Sequence, residues 1–142
     1  MCLHNSGRVL GIDYGERRIG LAVSDELGII ASGAGTIPGD NDVLSRIVAL
    51  VRERDIQRIV VGLPLTLRGE EGASAEMVQR FVKALREACD TPVDLMDERF
   101  TSSIAEQTIR DMGVGKKKRR EKGKVDEIAA VILLQGYLDS QK

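Results

Sequence analysis

The chain has 142 residues, of which 42% are hydrophobic, and its formal net charge is −1; this composition predicts one folded domain over residues 1–142 and argues against disorder. No apolar run approaches the roughly 20 residues needed to span a bilayer, and the first residues lack the apolar stretch of a secretory signal, so we expect a cytoplasmic protein. One histidine, His4, and two separated cysteines exclude histidine-based catalytic triads, a His-rich metal site and a disulfide framework.

The first part of the chain is predicted to form three strands, at residues 8–14, 17–24 and 28–37. From residue 19 to 24, larger apolar residues alternate with Gly, Ala and Ser, which is the period of a strand with one buried face. The turns between these strands are short. We therefore expect an antiparallel meander, because strands joined by short turns pair antiparallel.

Helices and strands alternate in the rest of the chain. The pattern predicts, in order, a helix after the start signal at 39–42, a strand at 56–61, a helix at about 74–89, a strand at 92–96, a helix from Ser102 or Ser103, and a final helix at 125–138. Such alternation implies right-handed parallel crossovers onto the sheet. The predicted fold is α/β, with a mixed five-stranded sheet flanked by helices and ligands expected at the carboxyl ends of its strands.

Three acidic residues stand at predicted element ends. Asp13 ends the first strand, Glu98 follows the fifth, and Asp126 lies in the first turn of the last helix. A buried charge costs several kcal/mol unless it is compensated, and a gathered carboxylate trio suits hard divalent cations. Each residue also has a simpler explanation: Asp13 as a turn residue, Glu98 in an ion pair with Arg99, and Asp126 as the partner of the helix dipole.

The basic charge is concentrated in one segment, residues 116–124. It contains seven cations and one anion, which leaves 14 Lys and Arg against 21 Asp and Glu elsewhere. We expect a mobile loop that binds the phosphates of a polyanion, with a solvated linker as the alternative. The seven cations are Lys116, Lys117, Lys118, Arg119, Arg120, Lys122 and Lys124.

Five ordered motifs resemble the YqgF family, the pre-16S rRNA nucleases that are also called Holliday junction resolvase-like proteins. They are residues 11–15, 18–25, 61–64, 97–102 and 125–130. The resemblance implies a ribonuclease H-like fold and a phosphodiesterase site that binds Mg²⁺ or Mn²⁺, with Asp13, Glu98 and Asp126 matching the acidic trio. One departure is the stretch 65–69, where the family has an Asn and an Asp before the next glycine.

The function implied by this resemblance is endonucleolytic cleavage of a nucleic acid, with 5′-end processing of precursor 16S ribosomal RNA favoured. Arg17, Arg18, Arg99 and the basic segment would then neutralise phosphates. Three alternatives remain: a non-catalytic RNA-binding ribosome-maturation factor, a Holliday junction-type DNA resolvase, and an actin-like ATPase. The ATPase is the weakest, because those enzymes clasp a nucleotide between two domains and 142 residues supply one.

Overall fold

The computed structural model describes residues 7–15, 17–64, 72–97 and 122–141. Five strands and three helices lie in these ranges. In chain order they are β1 (Arg8–Tyr14), β2 (Arg18–Ser24), β3 (Ala31–Pro38), α1 (Val43–Glu53), β4 (Ile56–Leu63), α2 (Ala73–Ala88), β5 (Val93–Asp97) and α3 (Lys122–Ser140). The helix predicted from Ser102 or Ser103 lies outside the described residues.

The five strands form one sheet in the order β3-β2-β1-β4-β5. β1, β2 and β3 pair antiparallel, whereas β4 and β5 join the other edge of β1 in parallel. The predicted mixed sheet, a meander followed by parallel crossovers, is therefore confirmed. Within it, Asp13 on β1 lies directly opposite Gly20 on β2.

One face of the sheet packs against α1 and α2. Leucine, isoleucine and valine side chains from β1, β2 and β4 meet Ile47 of α1 and Val78, Phe81 and Leu85 of α2 in the larger hydrophobic core. Tyr14 stacks on Phe81 with ring centroids 4.5 Å apart. This face supplies most of the apolar burial, which is the main favourable term in folding.

The other face is covered by α3, so the expectation that β2 has one buried face was wrong. Residues 19–24 are buried on both sides, and Ala130, Leu134 and Leu138 of α3 pack on this second face in a smaller core with Val9 and Val60. The small side chains of β2 face a helix and not solvent. α3 is apolar on most of its circumference, yet no helix within the described residues is long and apolar enough to cross a membrane.

Most element boundaries agree with the sequence prediction to within two residues, but the starts of two elements differ by three. α3 begins at Lys122 and not at 125, so residues 122–124 of the basic segment are helical. Lysines at a helix start oppose the backbone dipole, and Gly123 weakens a helix, so no local signal marks this beginning. β3 begins at Ala31 and not at 28, because the Asp25 carboxylate accepts the N–H groups of Ile29 and Ile30 and holds a turn there.

A glycine allows α3 to approach the sheet closely. A Cβ atom built on Gly20 would overlap the backbone carbonyl of Asp126, and it would lie 3.1 Å from the Glu127 nitrogen. Both neighbours are main-chain atoms of a helix, which a rotamer change cannot move. Gly20 therefore sets how near α3 comes to β2.

We expect Gly20→Ala to destabilise the protein by about 1–3 kcal/mol, because the added methyl group pushes α3 away from the sheet. The free energy of unfolding, measured by urea denaturation monitored by circular dichroism, checks this. Near-ultraviolet spectra would report whether packing around Tyr14 survives.

Gly136→Ala is the matched control, since Gly136 lies on α3 itself. Its new Cβ would meet the terminal Cε of Met96 at 3.3 Å, and that flexible end can move aside. Alanine also favours a helix over glycine by up to about 1 kcal/mol, so this variant should be as stable as the parent or more so. Equal stability of the two variants would contradict the close-approach role of Gly20.

Candidate metal and nucleic-acid site

Asp13 lies on the face of the sheet that α3 covers. Gly11, two residues earlier, contacts Leu134 of α3, and successive strand residues alternate between faces. Tyr14 correspondingly points to the opposite face, against α2. The half-buried Asp13 carboxylate is therefore directed towards α3, at the level where its partner Gly20 touches Asp126.

Asp126 is the fifth residue of α3 and faces the start of β2. Its Oδ2 accepts a hydrogen bond from Arg18 Nε at 3.1 Å, and the Arg18 and Asp126 side chains are 35% and 29% exposed. An ion pair this open to solvent contributes on the order of 0–1 kcal/mol. Because α3 starts at Lys122, Asp126 is in the second turn, where the helix-dipole explanation weakens.

Two of the three predicted acidic residues flank Gly20: Asp13 is its partner in the ladder, the backbone of Asp126 lies against it, and Arg18 is hydrogen-bonded to Asp126. Arg17 is exposed just before β2. Most of the other predicted site residues lie outside the described ranges: Glu98, Arg99, Lys116, Lys117, Lys118, Arg119 and Arg120. For Lys122 and Lys124 the structure describes the backbone, which forms the first turn of α3.

Carboxylate oxygens are the ligands that Mg²⁺ and Mn²⁺ prefer, so the chemistry of Asp13 and Asp126 fits such an ion. Within the described ranges, no group of three or more acidic, histidine or cysteine side chains is gathered closely enough to hold a metal. The third predicted ligand, Glu98, follows directly after Asp97, where β5 and the described range end.

The sequence analysis did not identify Glu127, the neighbour of Asp126, as a residue with a role of its own. In the β2–β3 ladder Gly20 pairs with Thr36 and Ala22 with Gly33, so two residues of β3 oppose one of β2 in a bulge. Within it Gly35 has a φ of +85°, and its N–H donates to Glu127 Oε2 at 2.7 Å. The Gly-Ala-Gly run of β3 was the signal that could have indicated this bulge.

Three more polar links fasten α3 to the sheet beyond Glu127. Gln135 donates to the Ile29 carbonyl and accepts from the Ala31 N–H, both at 2.9 Å. Tyr137 donates to Asp94 Oδ2 at 3.0 Å, and burial followed by this hydrogen bond raises the pKa of the phenol. α3 is thus held along its length, which fixes the position of Asp126 relative to β1.

Glu127→Ala should destabilise the protein by about 1–3 kcal/mol, because it leaves the partly buried Gly35 N–H without its acceptor. Glu127→Gln keeps an acceptor oxygen, so its cost should be smaller, about 1 kcal/mol or less, reflecting the loss of charge assistance. Chemical denaturation of both variants, with hydrogen exchange of the Gly35 amide, checks this.

The contrary result has a distinct signature. If Glu127 were instead a metal ligand, both variants would lose Mn²⁺ affinity equally, and the Gly35 amide would exchange at the parent rate in each. Unchanged protection of that amide in Glu127→Ala would therefore contradict its assignment as the partner of the bulge.

Comparison with known proteins gives consistent matches along the chain. A family model described as RuvX, Holliday junction resolvase, matches residues 7–140. A protein of Chloroflexus aggregans named as a pre-16S rRNA nuclease is 47% identical over 140 residues, which is 97% of each chain. A Bacteroides fragilis protein of the same name is 40% identical over 136 residues, covering 95% of this chain and 98% of that one.

Two solved structures share the fold at low sequence identity. RuvC of Thermus thermophilus, in complex with a Holliday junction substrate, superposes with a TM-score of 0.58 at 17% identity over 95% of each chain. Fowlpox virus resolvase, also with junction DNA, gives a TM-score of 0.56 at 13% identity over 94% of this chain and 98% of that one. The predicted ribonuclease H-like fold is confirmed by these neighbours.

Proposed function

The chain belongs to the RuvX family of Holliday junction resolvases, as the YqgF resemblance indicated, and from this membership we propose that it is a metal-dependent endonuclease acting on precursor 16S ribosomal RNA. The observation that supports the proposal is that Gly20 pairs with Asp13 and also touches the backbone of Asp126, on one face of the sheet. Two acidic residues from distant segments therefore flank Gly20, and carboxylate oxygens suit a hard cation.

We propose that Asp13, Glu98 and Asp126 together hold Mg²⁺ or Mn²⁺. Glu98 is included because it belongs to the family motif at residues 97–102 and stands in the sequence directly after β5, a strand whose Asp94 and Met96 contact α3. A divalent cation bound there would activate water and stabilise the departing oxygen, so no histidine is required.

The basic residues of the proposal act on the substrate backbone. Arg17, which is exposed just before β2, is assigned a phosphate contact in this proposal. Arg99 and the basic segment 116–124 would extend this contact along the nucleic acid. Phosphate contacts orient a substrate without reading its sequence, so the place of cleavage would depend on the shape of the RNA.

A Holliday junction is the second candidate substrate, because the family description names it. The curated relatives at 40–47% identity are named instead for pre-16S rRNA, which favours RNA. A non-catalytic maturation factor would keep the basic segment without needing the acidic trio. Family membership also argues against the actin-like ATPase.

We further propose that residues 1–142 act as one nuclease domain in the cytoplasm. All five strands described belong to one sheet, to which each described helix is packed. The cytoplasmic location follows from the proposed substrate. The relatives named as pre-16S rRNA nucleases come from bacteria, whose ribosomal RNA is made in the cytoplasm.

Asp13→Asn should leave the fold intact and lower metal-dependent cleavage by at least about 100-fold. Mutating a residue that only hydrogen-bonds to a metal ligand already lowers metal affinity or activity by about 10–100-fold, and a ligand should matter more. Asparagine keeps the size and turn preference of aspartate but removes the charge. Asp97→Asn is the matched control: it is also an acid at a strand end, but its place in the alternation of β5 is away from α3, and it should cleave normally.

Cleavage would be measured on RNA carrying the 5′ flank of 16S, on a four-way DNA junction and on single strands, each with Mg²⁺, Mn²⁺ or EDTA. Full activity of folded Asp13→Asn would overturn the catalytic assignment. Cleavage of the junction with no cleavage of RNA would overturn the substrate and leave the site in place.

The basic segment is tested by the dependence of RNA affinity on salt. Changing Lys116, Lys117, Lys118 and Arg119 to Ser should weaken binding and reduce the slope of log affinity against log salt by up to about three. A control that removes the same charge from α1, its C-terminal end and α2, with Arg52, Arg54, Arg80 and Lys83 changed to Ser, should leave the slope near the parent value. An unchanged slope in the first variant would identify the segment as a solvated linker.

A further inference from the structure

The ion pair between Arg18 and Asp126 occupies part of the proposed metal site. Arg18 Nε donates to Asp126 Oδ2 at 3.1 Å. Both side chains keep about a third of their surface open to solvent, so an ion or a phosphate can reach them. The same carboxylate group is therefore the acceptor of an arginine and a candidate ligand of a divalent cation.

The backbone gives this pair little freedom to separate. Arg18 and Gly20 are two residues apart on β2 and so point to the same face of the sheet. Gly20 contacts the main chain of Asp126, and the next residue, Glu127, is hydrogen-bonded to the bulge of β3. α3 therefore holds the carboxylate within reach of Arg18, and the long arginine side chain is the part that can move.

A divalent cation and the guanidinium cannot both bind Asp126 at full strength. Each lowers the negative potential that attracts the other, and their like charges repel at short range. The repulsion is relieved when the long side chain of Arg18 turns away from Asp126.

We propose that Arg18 neutralises Asp126 until a divalent cation binds, and that the displaced guanidinium then contacts a phosphate of the nucleic acid. This inference rests on the proposed function, because it takes Asp126 to be a metal ligand. Metal and nucleic acid then bind with positive coupling, since each favours the conformation in which Arg18 has left Asp126. A guanidinium is well suited to the phosphate because its planar fork donates two parallel hydrogen bonds.

The first measurement is Mn²⁺ affinity by titration calorimetry at constant ionic strength, on the full chain without nucleic acid. Arg18→Gln frees Asp126 and should bind Mn²⁺ more tightly, by about 5-fold, the lower end of typical coupling effects. Arg17→Gln, which removes the same charge one residue away, should stay within about twofold of the parent because exposed charges are largely screened by salt. Circular dichroism and thermal melting establish that each variant is folded.

The second measurement is RNA affinity by fluorescence anisotropy, with and without Ca²⁺, an oxygen-seeking cation used in place of Mn²⁺ to limit cleavage. Gels run on the recovered samples verify that the RNA is intact. For each protein, the effect of Ca²⁺ is the ratio of RNA affinity with the ion to RNA affinity without it. This ratio should be about 5-fold or more larger for the parent than for Arg18→Gln. Arg17→Gln should weaken binding similarly with and without the ion.

Arg18→Lys provides a second variant should Arg18→Gln fail to fold. Lysine keeps the charge, so Mn²⁺ affinity should remain near the parent value, whereas the loss of the planar fork should weaken RNA binding in Ca²⁺. Weaker Mn²⁺ binding by Arg18→Gln would contradict the displacement of Arg18 by the cation and would mean that Arg18 orients Asp126 for the metal. Unchanged Mn²⁺ binding would also contradict it and would mean that the ion pair is an ordinary surface contact. Failure of the parent protein itself to bind Mn²⁺ would instead overturn the proposed function.

Discussion

The contact between Gly20 of β2 and the backbone of Asp126 is the constraint on which this architecture depends. Without a side chain at residue 20, the main chain of α3 can touch the sheet, and any Cβ there would overlap a carbonyl that cannot rotate away. The contact sets the height of the helix above the strands. It also puts an acidic residue of the helix beside the strand that pairs with Asp13.

The two faces of the sheet contribute differently to the molecule. The face towards α1 and α2 contains the larger hydrophobic cluster, with fully buried side chains such as Leu10, Ile12 and Leu85. The face towards α3 has a smaller apolar cluster and a row of hydrogen bonds from helix side chains to strand groups. Non-directional apolar burial stabilises the fold on one side, while directional bonds fix positions on the other.

The same hydrogen bonds protect the edge of the sheet. β3 is an outer strand, and strands of this kind present unpaired N–H groups to which other chains can add. Glu127 and Gln135, eight residues apart on α3, accept the N–H groups of Gly35 and Ala31, four residues apart on β3. Covering the edge and placing Asp126 are thus achieved by one helix.

Acidic and basic residues are distributed unevenly along the chain. Outside residues 116–124 the chain has 21 acidic and 14 basic residues, and two of the acids, Asp13 and Asp126, flank Gly20. Neighbouring carboxylates repel one another unless cations lie nearby. Arg18 supplies one such cation in the structure, and the basic segment concentrates further positive charge at the start of the helix that contains Asp126.

The sequence alone determined the order of elements, the mixed sheet and the candidate acids, because strand and helix periods and motif order are local properties of the chain. It could not indicate that the Gly, Ala and Ser of β2 face a helix, since small residues look the same beneath a helix as in solvent. Nor could it separate Asp126 from its neighbour Glu127, although one pairs with Arg18 and the other with a bulge. These differences arise from contacts between segments about a hundred residues apart, and the tertiary structure alone decides which distant groups meet.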